Sequence, residues 1–238
     1  MPPALSEHVR ATWERLGSPV AAVRSSAVGE DSSEASFAGM NASFTNVHGG
    51  DELVRRIVDC WASLFGARVV AYRAARGLTA EPAIAVVVQT MVASERSGVA
   101  FTADPRSGDR DLLLIEAALG QGEVVVSGAV EPDTCEVTAE GLQLRSMRIG
   151  MQTNEVVRGP DGADVTVALD PARGGAPVLA PAEIVEVAAL ARRVEEHYGE
   201  SQDVEWAHDG ERLWLVRTRP ITTGVRGRRA EDEVGGRG

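Results

Sequence analysis

Apolar residues recur along this chain at helical and at strand spacing, and each stretch predicts an element. Leu5, Val9, Trp13 and Leu16 follow helical spacing and Gly17 can end the helix, so residues 4–16 read as a short helix. It feeds a strand over residues 20–24; residues 42–47 alternate as another, broken by Gly49-Gly50 before Asp51 caps the next element. From 51 to 76, Leu53, Ile57, Trp61, Leu64, Phe65 and Val69 form one long helical stripe that Gly77 stops. Residues 83–92 are almost continuously apolar and rich in β-branched side chains, the pattern of a buried central strand interrupted by Gln89. Residues 97–102 and 112–117 read as two further strands joined by a turn over 104–109, and the three together suggest an antiparallel meander. Gly120-Gln121-Gly122 fits a tight turn, and the run at 124–127 is open between strand and helix start.

Residues 130–180 alternate short strand-like runs with Gly, Pro and Asp, which makes this part turn-dense, partly mobile and without recognisable chemistry. Pro181 then suits the first position of a helix whose stripe is Ile184, Val187, Ala188, Ala191, Val194 and Tyr198, ended by Gly199. Asp209-Gly210 divides two strand-like runs, 203–208 and 212–219, into a hairpin. A three-residue loop, 209–211, sets Trp206 opposite Trp214 and Val204 opposite Val216, giving one apolar face. The other face then carries Asp203, Glu205, Leu213, Leu215, Arg217 and Arg219, with Asp203 across from Arg217 and Glu205 diagonal to it. Two carboxylates and two guanidiniums on one face form either a surface ladder or a site where the carboxylates hold a divalent cation and Arg219 holds phosphate.

Composition narrows the function classes. A chain of 238 residues with 44% hydrophobic content can bury a core in one large domain or two lobes. The net charge of −11 gives no electrostatic reason for nucleic-acid or anionic-membrane binding. All 24 basic residues are arginine, which removes lysine-dependent chemistry. Cys60 and Cys135 have no metal-like spacing and read as reduced core residues. With neither a signal-like N-terminus nor a long apolar run, the sequence reads as soluble and cytoplasmic, its residues 224–238 as a disordered tail.

One stretch combines these signals. Arg24 ends the short strand beside Ser25 and Ser26, and Ser36, Phe37, Ala38 and Gly39 follow in a small-residue loop able to offer backbone N–H groups to an anion. On its own, that stretch fits a phosphate loop or an ordinary surface turn. Together with Val-Gln-Thr-Met-Val at 88–92, Ser-Gly-Val-Ala-Phe-Thr-Ala-Asp-Pro at 97–105, Gly-Gln-Gly-Glu at 120–123, Asp-Val-Glu-Trp-Ala at 203–207 and Thr-Arg-Pro-Ile-Thr at 218–222, it resembles the ATP-binding domain of the phosphoenolpyruvate synthase and pyruvate phosphate dikinase family, shared by rifampicin phosphotransferase. The resemblance covers residues 4–223.

What the resemblance implies is an α+β, ATP-grasp-like fold: two lobes with antiparallel sheets flanked by helices, residues 1–87 a partial first lobe and 88–223 the second. ATP lies between the lobes and passes its β-phosphate to a histidine on a separate domain, leaving AMP and phosphate. Carried over to this chain, Arg24 and Arg219 resemble the phosphate ligands with catalytic roles, and residues 36–39 the mobile phosphate loop. Gln89, Met91 and Val92 match the adenine-side hinge, and Glu205, with Asp203 beside it, the Mg²⁺ ligand. Two departures stand out. The family's glycine-rich opening segment with its ATP-contacting lysine has no counterpart here, so the first lobe is incomplete. Arg217 stands where the family has a metal-coordinating glutamine, and a guanidinium has no lone pair to offer; pairing with Asp203, it would fill the cation's electrostatic role. His8, His48, His197 and His208 lie outside any phosphohistidine motif. Two functions follow from this: the ATP-binding part of a phosphotransferase completed by a separate chain, which brings the missing lobe and the phosphohistidine, or a catalytically inactive nucleotide-binding or interaction module derived from that family.

Overall fold

A computed structural model describes residues 1–27, 42–77, 83–122, 128, 130–159 and 162–221. The chain divides into two compact units, residues 1–91 with 158–164, and residues 92–157 with 165–238. Both combine helices with antiparallel sheets, an α+β architecture.

In the first unit, α1 (Pro3–Arg15) ends ahead of Gly17, whose φ of 85° suits a residue without Cβ. Three strands, β1 (Ala21–Ala27), β2 (Ser43–Val47) and β3 (Ile84–Thr90), form a sheet in the order β2-β1-β3. Helix α2 (Gly50–Ser63) covers one face, where Leu53, Ile57 and Cys60 meet Ala21, Val23 and Val47.

Three expectations change here. The single long helix is two, α2 and α3 (Ala67–Ala75). The N–H groups of Phe65 and Gly66 donate to the carbonyls of Ala62 and Ser63 in tightened turns, and Gly66 then turns extended as the N-cap of α3. Phe65 is left 71% exposed, off the apolar stripe. Asp51 lies in the first turn of α2 instead of capping it, the N-cap being Gly49 at φ 78°. The apolar run at 83–92 forms an edge strand of this sheet while β1 is central, and Val87 and Val88 are 48% and 40% exposed. An apolar run signals burial on both faces only where both are covered: Val87, paired with Arg24, lies on the face that α2 does not cover, and Val88, paired with Val23, lies on the α2 side but at the sheet edge.

The second unit is built on a six-stranded antiparallel sheet in the order β11-β10-β4-β5-β6-β7. Its strands are β4 (Arg96–Phe101), β5 (Leu112–Leu119), β6 (Asp133–Thr138), β7 (Leu144–Arg148), β10 (Gln202–His208) and β11 (Leu213–Pro220). A two-stranded sheet of β8 (Asn154–Arg158) and β9 (Asp164–Ala168) precedes a one-turn helix α4 (Pro171–Gly174). The meander expected over 83–117 is therefore split: β4 and β5 pair, β3 belongs to the other sheet, and β4's second neighbour is β10.

Helix α5 (Pro181–Tyr198) begins at Pro181 and stops at Gly199, which takes φ 73°. Ile184, Val187, Ala188, Ala191 and Val194 pack against Ala100, Leu113, Ile115, Cys135, Val137, Val204 and Trp206 on one face of the sheet. Tyr198 leaves the stripe and is exposed. The Glu183 carboxylate accepts from the Ala180 N–H at 2.8 Å and from Arg96 at 2.6 Å. Burial raises its pKa, but these bonds outweigh that and hold the carboxyl below the ordinary range. Asp133, fully buried, accepts from the N–H groups of Gly150 and Val178 at 2.9 and 2.7 Å, which ties the turn-dense segment to the sheet. Cys60 and Cys135 are free and buried, and burial, ahead of the neighbouring Asp59 and Asp133 charges, pushes each thiol up to about 11. Among the described residues no helix is long and apolar enough to cross a membrane. Residues 36–39, 124–127 and the tail at 224–238 lie outside the described residues.

Candidate functional site

Alternation along β10 decides which side chains meet. Val204, Trp206 and their neighbours point to α5, so Asp203 and Glu205 occupy the opposite face of the sheet. The hairpin register differs from the expected one. Asp203 pairs directly with Arg219 and Glu205 with Arg217, whereas Trp206 pairs with Leu215 and Ala207 with Trp214. Two features cause the difference. The turn holds four residues, Asp209 to Arg212, because the Asp209 carboxylate accepts from the Glu211 and Arg212 N–H groups at 3.0 and 2.8 Å and from the Trp214 indole at 2.8 Å. Those three bonds, hydrogen bonds from Trp214 first, lower its pKa to about 2. A β-bulge then adds Val216 between the Leu215 and Arg217 pairs. Leu213 and Leu215 thereby share the Trp206 face, while Arg217 and Arg219 turn to the carboxylates.

The two charge pairs differ in strength. Arg219 Nε donates to Asp203 Oδ2 at 2.7 Å, a charge-assisted bond, and Asp203 is 7% exposed. Burial raises the Asp203 pKa, with Arg219 pulling against it. Arg217 stands 3.9 Å from Glu205, both partly exposed, at the outer limit of an ion pair. Arg217 therefore faces Glu205, not Asp203 as the sequence register suggested.

The motif at 97–102 positions this hairpin. Thr102 Oγ1 accepts from the Gln202 N–H, and Gln202 Oε1 accepts from Thr218, both at 2.8 Å, so one buried glutamine ties the residue that follows β4 to β10 and β11 beside Asp203 and Arg219. Ser97 donates to the Gly120 carbonyl at 2.8 Å, which links that motif to the glycine turn. Sequence reasoning missed Gln202. It also missed Glu116: Glu205 pairs with Val99 and Val99 with Glu116, so a third carboxylate shares the face two strands away. A lone glutamate inside the apolar run 112–119 was its available signal.

In the first unit, Arg24 sits on β1, paired with Val87 and Ser43 and half-buried. Gln89 pairs with Ala22 and shares the Arg24 face of the sheet, the one turned away from α2. Ser25 looks the other way and donates to the Ala42 carbonyl at 3.1 Å. Met91 N–H donates to the Val20 carbonyl at 2.8 Å and is the last residue of the first unit before Val92 begins the second.

The donor set does not fit a protein-held divalent cation. Asp203 is engaged by Arg219, Glu205 is faced by Arg217, and Glu116 lies two strand spacings, roughly 10 Å, from Glu205. Among the described residues no three His, Cys, Asp or Glu side chains lie close enough to share a metal.

Residues 1–234 match the sequence profile of the pyruvate phosphate dikinase AMP/ATP-binding domain. A probable phosphoenolpyruvate synthase of Archaeoglobus fulgidus is 43% identical over 96% of this chain, which covers 30% of that relative. The rifampicin phosphotransferase of a Streptomyces species is 41% identical over 85% of this chain and 23% of its own length. The prodigiosin synthesizing transferase of Serratia marcescens is 38% identical over 94% of this chain, again about a quarter of the relative. The chain thus spans less than a third of each of these proteins.

Proposed function

The chain belongs to the pyruvate phosphate dikinase AMP/ATP-binding domain family, and from that premise we propose that it is the ATP-binding module of a dikinase-type phosphotransferase with an ATP-grasp-like fold. The observation that carries this reading is the hairpin register, which lines up Arg217 and Arg219 on the face of the β10–β11 ribbon away from α5. A guanidinium fork matches phosphate oxygens in geometry and charge, and Asp203 orients that of Arg219. Arg24 is the phosphate ligand of the first unit, and Gln89, Met91 and Val92 contact the adenine side. The role of Ser36, Phe37, Ala38 and Gly39 as a phosphate loop rests on the sequence resemblance alone.

The acceptor is a histidine of another domain or of a separate chain. Its nitrogen takes the β-phosphoryl group while AMP departs, and water removes the terminal group as phosphate. Fixed cations serve such a transfer by positioning the phosphates and balancing the charge that develops on them. Calorimetric titration of the chain with ATP tests the reading. Saturable binding that AMP competes for is the expected result, and absence of binding to either nucleotide would overturn it.

A further inference from the structure

Four charged side chains stand where the β10–β11 ribbon would meet phosphate, and they are already matched: Arg219 on Asp203 at 2.7 Å, Arg217 against Glu205 at 3.9 Å. We propose that this domain binds its nucleotide without a divalent cation held by the protein, Arg217 supplying the positive charge at that position. This rests on the ATP-binding reading above and deepens it.

Three observations converge. First, Mg²⁺ needs near-octahedral oxygen ligands, commonly one or two carboxylates with the remainder from phosphates and water. Asp203 is buried and committed to the Arg219 Nε–H, so taking it as a ligand would break a charge-assisted bond. Second, the register leaves no freedom of pairing. The bulge at Val216 fixes Arg217 directly across from Glu205, so a cation on Glu205 would lie beside a guanidinium. Third, Glu116 cannot complete the set with Glu205 from two strands away. An arginine at this position is both unable to coordinate the metal and well suited to replace it: it brings a fixed charge and planar donors to the phosphate, and it faces a carboxylate that would otherwise be a ligand.

The test is calorimetric titration of the 238-residue chain with ATP in excess EDTA and in excess Mg²⁺, for the wild type, Arg217→Gln and Arg217→Lys. The wild-type Kd is expected to differ less than about threefold between the two conditions. Arg217→Gln removes the charge and restores an oxygen ligand, so its affinity should fall about tenfold in EDTA and recover in Mg²⁺. Arg217→Lys keeps the charge and should stay insensitive to the metal. Circular dichroism confirms that each variant is folded, and if Arg217→Gln fails to fold, the wild-type and lysine arms decide. ATP binding by the wild type only when Mg²⁺ is present would overturn this proposal while leaving the ATP-binding reading intact. No binding under either condition would overturn both.

Discussion

Asp209 shows how one side chain sets the geometry of residues ten positions away. Its carboxylate closes a four-residue turn, and that turn with the Val216 bulge decides which residues Arg217 and Arg219 face. The four charged residues of the hairpin could be recognised from sequence because their spacing alternates; their partners could not. Register depends on loop length and bulges, and the sequence favoured a shorter loop that paired the two tryptophans. Trp214 instead gives its indole N–H to Asp209. Because the folded pKa of Asp209, about 2, lies below the ordinary 3.8, its contribution to stability is present above about pH 4 and fades as pH falls toward 2. Asp209→Ala should therefore lower Tm at neutral pH, and the gap from wild type should shrink between pH 4 and 2. A gap independent of pH in thermal scans would show that the charge is not what holds the turn.

At the scale of elements, the Ser-Gly-Val-Ala-Phe-Thr-Ala-Asp-Pro stretch at 97–105 holds a packing device. Gly98 lies on β4 directly across from Trp206, and a Cβ there would come within 1.9 Å of the Glu116 carbonyl oxygen and 2.7 Å of the indole ring. Only glycine lets the fully buried Trp206 lie over that strand. Gly98→Ala should cost about 3 kcal/mol in urea unfolding, and a cost below about 1 kcal/mol would mean that the sheet can yield there. Helix α5 was legible because proline, stripe and glycine all agreed. The helix over 51–76 was misread as one element because a stripe shows which residues share a face, not whether the backbone between them stays helical. Gly66 and the turn before it end α2. The edge position of β3 was illegible for a related reason: apolarity on both faces does not say which face a neighbour covers.

The whole molecule carries one buried cysteine in each unit, Cys60 in the first and Cys135 in the second. With both thiols pushed up to about 11 and shielded, neither should react with an alkylating probe at neutral pH in the folded protein. Each should label only as its own unit opens in denaturant, so that residue-resolved labelling reports the stability of the two units separately; rapid labelling of either in native buffer would contradict the packing described. At this scale electrostatics works against an anionic ligand, since the chain bears a net charge of −11. In the proposed site, phosphate binding therefore draws on local guanidiniums rather than on the overall field. The measurement that isolates this compares ATP affinity in Arg219→Ala and Arg212→Ala. Each removes one positive charge, but Arg219 lies on the proposed phosphate face, bonded to Asp203, and Arg212 in the hairpin turn, where its backbone N–H is what bonds Asp209. At least a tenfold loss of affinity is expected for Arg219→Ala and no more than about twofold for Arg212→Ala. Equal losses in the two variants, or none in either, would contradict it.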